Sequence, residues 1–168
     1  MAPDLDSPLS VRPVEPSDRD ALRALVRERW SGDRVIVGGR TFAPGELPAL
    51  VAEREGRAQG YLTYAVRGEL LEIVTLDATY PRNGAGTALV EALVGLAARN
   101  GAERVTVTTT NDNLDALRFY QRRGFRLAAL RPGAVDAARV LKPTIPLTGE
   151  LGIPLRDEID LVREVPGV

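Results

Sequence analysis

Apolar positions recur along this chain at two alternating spacings, and the switches between them mark the elements. Residues 10–14 read as a short strand, after which Ala21, Leu22, Leu25 and Val26 repeat at helical spacing as far as Trp30. Ser17 offers that helix a cap, Asp18 and Asp20 suit its positive end, and Ser31-Gly32-Asp33 breaks it. Residues 34–42 are glycine-rich and predict only a short β piece and a loop, a candidate substrate lid. Residues 49–54, 58–66 and 70–76 then predict an antiparallel meander, joined by the turns Glu55-Gly56-Arg57 and Arg67-Gly68-Glu69.

The stretch Tyr80-Pro-Arg-Asn-Gly-Ala-Gly-Thr87 follows, and Ala85, Leu89, Ala92, Leu93, Leu96 and Ala97 continue it as a long amphipathic helix. Asn83-Gly84 alone would suit a two-residue hairpin, but the periodicity after it is helical. Glycines at 84 and 86 leave the backbone open to an anion, and the first helical turn carries N–H groups without intrahelical acceptors, so the stretch reads as a phosphate cradle. The helix ends at Arg99-Asn100-Gly101. A strand at residues 104–109, a helix carrying Leu114, Ala116, Leu117, Phe119 and Tyr120, and a strand at residues 125–130 complete a β-helix-β step, turning the meander into a mixed sheet. Between Arg131 and Ile159, four prolines and three glycines leave room for one short helix near residues 134–141, and Ile159, Leu161 and Arg163 alternate as a last strand.

Length and near-neutral charge (168 residues, formal charge −1) predict one domain over residues 1–168. Its parts are a core at 9–130, a proline- and glycine-rich insertion at 131–157 and a last strand at 158–164. The absence of cysteine and histidine removes disulfides, thiolate metal sites, cysteine nucleophiles and serine-histidine triads, so no metal is expected. No apolar run is long enough to span a bilayer and no signal-like start is present, so a cytoplasmic protein with no membrane partner is expected. The charge argues against a broad nucleic-acid-binding face. A P-loop reading of the glycine turn lacks the lysine-serine/threonine pair such a loop needs.

The order of elements and two motifs resemble the GNAT superfamily of acetyl-CoA-dependent N-acetyltransferases, over about residues 9–130 and the last strand. Pro81-Arg-Asn-Gly84-Ala-Gly86 fills the family's first motif except at Pro81, where a glutamine or arginine is usual, and Arg82 stands next to the gap. Asn113, Ala116, Tyr120, Gly124 and Phe125 reproduce the second motif at every position. The resemblance implies an α/β (α+β) fold, a mostly antiparallel sheet flanked by helices whose strands at 70–76 and 104–109 splay apart, with the final strand beside the latter. It implies pantetheine along the backbone of Val74 to Leu76, the CoA diphosphate on Arg82, Asn83, Gly84, Ala85, Gly86 and Thr87, and further cofactor contacts from Asn113 and Tyr120.

Acetyl transfer from a thioester to an amine needs a proton acceptor, an oxyanion donor and a proton for the leaving sulfur. Tyr120 is the candidate acid, the alternative being a packing residue that hydrogen-bonds CoA, and the Leu76 amide is the candidate oxyanion donor. Glu72, in the apolar run Leu70-Leu-Glu-Ile-Val-Thr-Leu76, must reach solvent, find a partner or rise in pKa; the last would suit a general base. Asn113 caps its helix or touches the cofactor. Trp30, Phe42 and Tyr64 either line an acceptor pocket or are core, and Asp157, Glu158 and Asp160 either attract a cationic amine or form a solvated face. The reading is direct acetyl transfer from acetyl-CoA to a small-molecule or peptide amine; a catalytically inactive CoA-binding module is the alternative. The tail could cover the acceptor mouth or be exchanged with a neighbouring subunit, which would make a homodimer.

Overall fold

The meander forms because glycine turns let three apolar strands fold back on one another: β4 (Ala49–Arg54), β5 (Arg57–Arg67) and β6 (Leu70–Ala78). The computed structural model describes residues 6–80 and 82–167, so the expectation placed on Pro81 lies outside the described residues. Glu55 and Gly56 (φ 52° and 70°) and Gly68 (φ 57°) take the left-handed backbone those turns require. Register sets Leu50 opposite Leu62 and Leu62 opposite Leu76, so that alternate residues share a face.

One face, with Leu50, Ala52, Leu62, Leu71 and Ile73, packs against Leu89, Val90, Leu93 and Ala97 of helix α2 (Ala85–Arg99). The other, with Ala49, Val51 and Tyr61, receives Leu22 and Val26 of α1 (Arg19–Trp30). Ser17 does not cap α1: a 3₁₀ turn at Pro16–Asp18 precedes the helix, and the Asp18 carboxylate accepts from the Glu15 amide at 2.8 Å. Proline at the first position of that turn starts the helix earlier than the apolar stripe suggests.

The remaining strands are β1 (Ser10–Pro13), β7 (Arg104–Thr110), β8 (Arg126–Arg131) and β9 (Glu158–Glu164), giving a seven-stranded sheet in the order β1-β4-β5-β6-β7-β9-β8. Only β6 and β7 run parallel, and they pair over four residues, from Leu70↔Arg104 to Ile73↔Val107. Beyond that point β6 stays with β5, and β7 stays with β9. The expected splay is therefore present, and the last strand lies beside β7 as expected.

Residues 34–42 form a complete hairpin, β2 (Val35–Val37) and β3 (Arg40–Phe42), turned by Gly38 and Gly39 at positive φ. Glycine content there signals the turn of a hairpin, so a second strand stands where a loop is expected after one β piece. Helices α3 (Leu114–Gln121) and α4 (Ala134–Leu141) flank the sheet, and α4 occupies the segment where a short helix is predicted. The tail after α4 is tied back by Asn111 and Asp112. Asn111 donates to the Pro154 carbonyl and accepts from the amides of Arg156 and Asp157, while Asp112 accepts from the Glu150 amide at 2.9 Å. A Cβ on Gly149 would sit 2.0 Å from an Asp112 carboxylate oxygen.

Leu89 is fully buried between α2 and the sheet. Leu89→Ala is expected to lower unfolding free energy by about 2–5 kcal/mol in urea titration, since it leaves a cavity the sheet cannot close.

Candidate active site

The turn before α2 is built from its own side chains. Asn83 folds its Oδ1 onto the Ala85 amide at 3.0 Å and donates from Nδ2 to Gln59 at 3.3 Å. Arg82 and Gly84 both lie at positive φ (63° and 85°), which turns the backbone into the helix. The amides of Gly86 and Thr87 then open α2 without intrahelical acceptors, at the positive end of a 15-residue helix. Gly86 has a second reason to be glycine: a Cβ there would come within 3.2 Å of the Phe119 ring. Arg123 approaches from the end of α3, donating to the Thr87 hydroxyl at 2.9 Å and lying 3.6 Å over the Phe119 ring. Sequence reasoning missed this cation because it stands at an unspecified position of the second motif, between Tyr120 and Gly124.

Where β6 and β7 part, a cavity of about 370 Å³ runs between them. Val74, Leu76, Asn113 and Tyr120 line it; Arg82 to Thr87 lie at the α2 turn beyond its lining, and Glu72 is not among its residues. The cavity continues to the α1 side of the sheet, where Trp30, Val35, Val135 and Leu155 form its walls. Of the three aromatics weighed for that pocket, only Trp30 lines it; Tyr64 packs on the main core and Phe42 lies under the Arg40 guanidinium.

A β-bulge determines what β6 presents to the cavity. Thr63 pairs with Thr75 but Tyr64 pairs with Ile73, so Val74 has no partner on β5, and the pairing with β7 has already ended at Ile73. The extra residue also keeps Leu71 and Ile73 before it, and Leu76 and Ala78 after it, on the same core. Leu76 is in register with Leu62, which moves the least engaged backbone from Leu76 to Val74.

Tyr120 is only 5% exposed, edge-on to Phe119 and Phe125 at 5.1 and 5.2 Å. Burial pushes its phenol up, outweighing the opposing pull of Arg123, so the hydroxyl holds its proton firmly. Asn113 caps α3, its Oδ1 accepting from the Ala116 amide at 3.0 Å, and the residue lines the cavity.

Glu72, 3% exposed, finds partners: Arg40 of β3 meets both its oxygens at 2.6 Å, and Arg67 approaches to 3.3 Å. It opens on a separate cavity of about 310 Å³ beneath the β2–β3 hairpin. The acidic run near the C-terminus is likewise engaged. Glu158 is buried, lines the main cavity, and accepts from the Gly38 amide at 3.1 Å and from Arg131 at 2.9 Å. Arg131 also pairs with Asp160, and Asp157 accepts from the Gly133 amide at 2.8 Å. Lys142 donates to the carbonyls of Trp30 and Arg34 at 2.5 and 2.8 Å, which ties α4 to the end of α1; burial lowers its pKa.

Residues 12–125 match the acetyltransferase (GNAT) family, and the chain belongs to it. It is 32% identical to the uncharacterized protein YxbD of Bacillus subtilis (strain 168), over 94% of this chain and 99% of that one. With the uncharacterized protein YdhI of the same organism the identity is 39%, over 82% of this chain and 87% of the other. Among solved structures, a Bacillus subtilis acetyltransferase in complex with CoA superposes with a TM-score of 0.67 at 20% identity, covering 95% of this chain and 100% of that one. The fold is that of these acetyltransferases.

Because burial raises the Tyr120 phenol, the folded state keeps a proton that the unfolded chain releases above about pH 10. Stability is thus fully present below that pH and falls as pH climbs beyond it. Tyr61 and Tyr64, raised for the same reason, add slope of the same sign. Tyr120→Phe is expected to flatten the alkaline decline in urea midpoint, measured on either side of about pH 10.

Proposed function

We propose that this chain is an N-acetyltransferase that moves an acetyl group from acetyl-CoA to a primary amine by direct attack, as a single cytoplasmic domain. The observation that carries the reading is the parting of β6 and β7 into a through-going cavity, with Tyr120 in its wall and the α2 turn beyond it. Diverging strands leave backbone donors and acceptors for an amide-bearing arm, and the amides of Gly86 and Thr87, with Arg82 and Arg123 nearby, suit a diphosphate. Among the described residues the cavity offers neither cysteine nor histidine to carry an acetyl group, which supports direct transfer.

In this proposal acetyl-CoA supplies the thioester, and the residues do the rest. The amine forms the new C–N bond as the C–S bond breaks. The Val74 amide donates to the developing oxyanion, and the Tyr120 hydroxyl gives its proton to the departing sulfur and regains one from water. Burial raises the phenol away from the pKa ideal for a general acid, so the transfer rests on alignment of the hydroxyl with the departing sulfur and not on its acidity.

Glu72 takes a different part from the base expected of it. Glu72 does not line the main cavity and both its oxygens are taken by guanidiniums, so the amine proton leaves to water, and Glu72 positions the β2–β3 hairpin through Arg40. The acceptor end mixes Trp30, Val35, Val135 and Leu155 with the cations Arg29 and Lys142, and the Glu158 carboxylate there is already paired with Arg131, which favours an amine with an apolar body over a polycation.

Acetyl-CoA consumption with a panel of amines tests the activity; no turnover with any of them, alongside CoA binding, would favour an inactive CoA-binding module. With an active amine in hand, Tyr120→Phe should cut kcat at least about tenfold while CoA affinity changes little. Glu72→Gln should keep the acidic limb of the wild-type pH-rate profile. Disappearance of that limb would restore Glu72 as the base.

A further inference from the structure

Arg54 is 6% exposed and forms no ion pair among the described residues. Its Nη2 donates to the Asn83 carbonyl at 3.2 Å, while Nε and Nη1 are buried without any hydrogen-bond partner. Strand alternation puts it there: Leu50 and Ala52 face α2, and Arg54 follows them on the same side at the end of β4, beneath the turn that opens the helix. Glu53, facing the other way, pairs with Arg12 instead.

A guanidinium cannot shed its charge, and burying one without a counter-ion is costly. Here it lies under the positive end of α2, where the helix dipole repels a cation. Buried N–H groups without acceptors and an unfavourable helix end share one remedy, an anion above the turn.

We propose that Arg54 is a positioning residue for the CoA diphosphate: it fixes the Asn83 carbonyl, and its charge is compensated only when the diphosphate arrives. The inference rests on the CoA-dependent reading above and adds a third arginine to Arg82 and Arg123, one that acts from beneath the turn. The ligand-free protein thus carries an electrostatic strain that cofactor binding relieves.

Titration calorimetry of the full chain with CoA and with pantetheine, which lacks the diphosphate, separates this role from a purely structural one. Arg54→Met should weaken CoA about tenfold, leave pantetheine nearly unaffected, and leave the melting temperature of the ligand-free protein unchanged or raised. Arg54→Gln keeps a donor for the Asn83 carbonyl without the charge and should lose CoA to the same extent. Equal losses for CoA and pantetheine, a lowered ligand-free melting temperature, or full CoA affinity in Arg54→Gln would each overturn the proposal. Unchanged CoA binding in both variants would sink it while sparing the function; a wild-type chain that binds no CoA would sink both.

Discussion

Everything at the centre of this molecule depends on a parallel pairing that stops after four residues. Had β6 and β7 stayed together to their ends, their backbone groups would have satisfied one another and the interior would be closed. Instead each strand keeps its outer partner, and the bulge at Val74 falls at the point of separation. The bulge also restores the alternation that the core on the α2 side requires, so Leu71 and Leu76 can belong to one cluster. Opening and core packing are two results of the same inserted residue.

Around that opening the protein uses charge as mortar more than as bait. The α1-side face of β7 and β9 carries Thr108 and Asp160, which would be ill suited to an apolar cover. The hairpin fits it because Arg40 and the Gly38 amide arrive where Glu72 and Glu158 stand. Arg131 joins β8 to two carboxylates of β9, and Lys142 ties α4 to the end of α1. These contacts bring three segments distant in sequence to the walls of one cavity. Hydrophobic packing supports the sheet itself, with Leu62, Leu89 and Val105 fully buried.

Much of this was legible in the residue order because local spacing carries it. The meander, the α2 periodicity, the cap at Asn113 and the alternation at Ile159 and Leu161 are short-range features, and the structure contains them. What could not be read depends on meetings across the chain. Val74 sits within a mostly apolar run, Leu70-Leu-Glu-Ile-Val-Thr-Leu76, and nothing local marks it as the residue without a partner. Glu72 was seen to need a solution, but Arg40 lies in a segment whose hairpin was only half visible. Glu158 belongs to an acidic cluster that reads either as bait for a cationic amine or as a solvated face, and its burial follows from β9 lying between β7 and β8. Arg54 beside Glu55-Gly56 looks like any charged residue at a turn until α2 is laid above it.

The attachment of the tail has an evolutionary consequence. Asp112 grips the Glu150 amide so closely that the neighbouring Gly149 has no space for a side chain, while Leu147 and Leu151 on either side stand in the open. The backbone of the segment is thus held at several points, by Asp112, Asn111 and Arg139, while those two leucine side chains are exposed. Descendants of this gene could trade Thr144, Ile145, Pro146 and Leu155, which line the cavity on either side of Gly149, and leave the parting of β6 from β7 untouched. The shape of the cavity would then vary from its periphery, with Asp112 and Gly149 inherited as a pair.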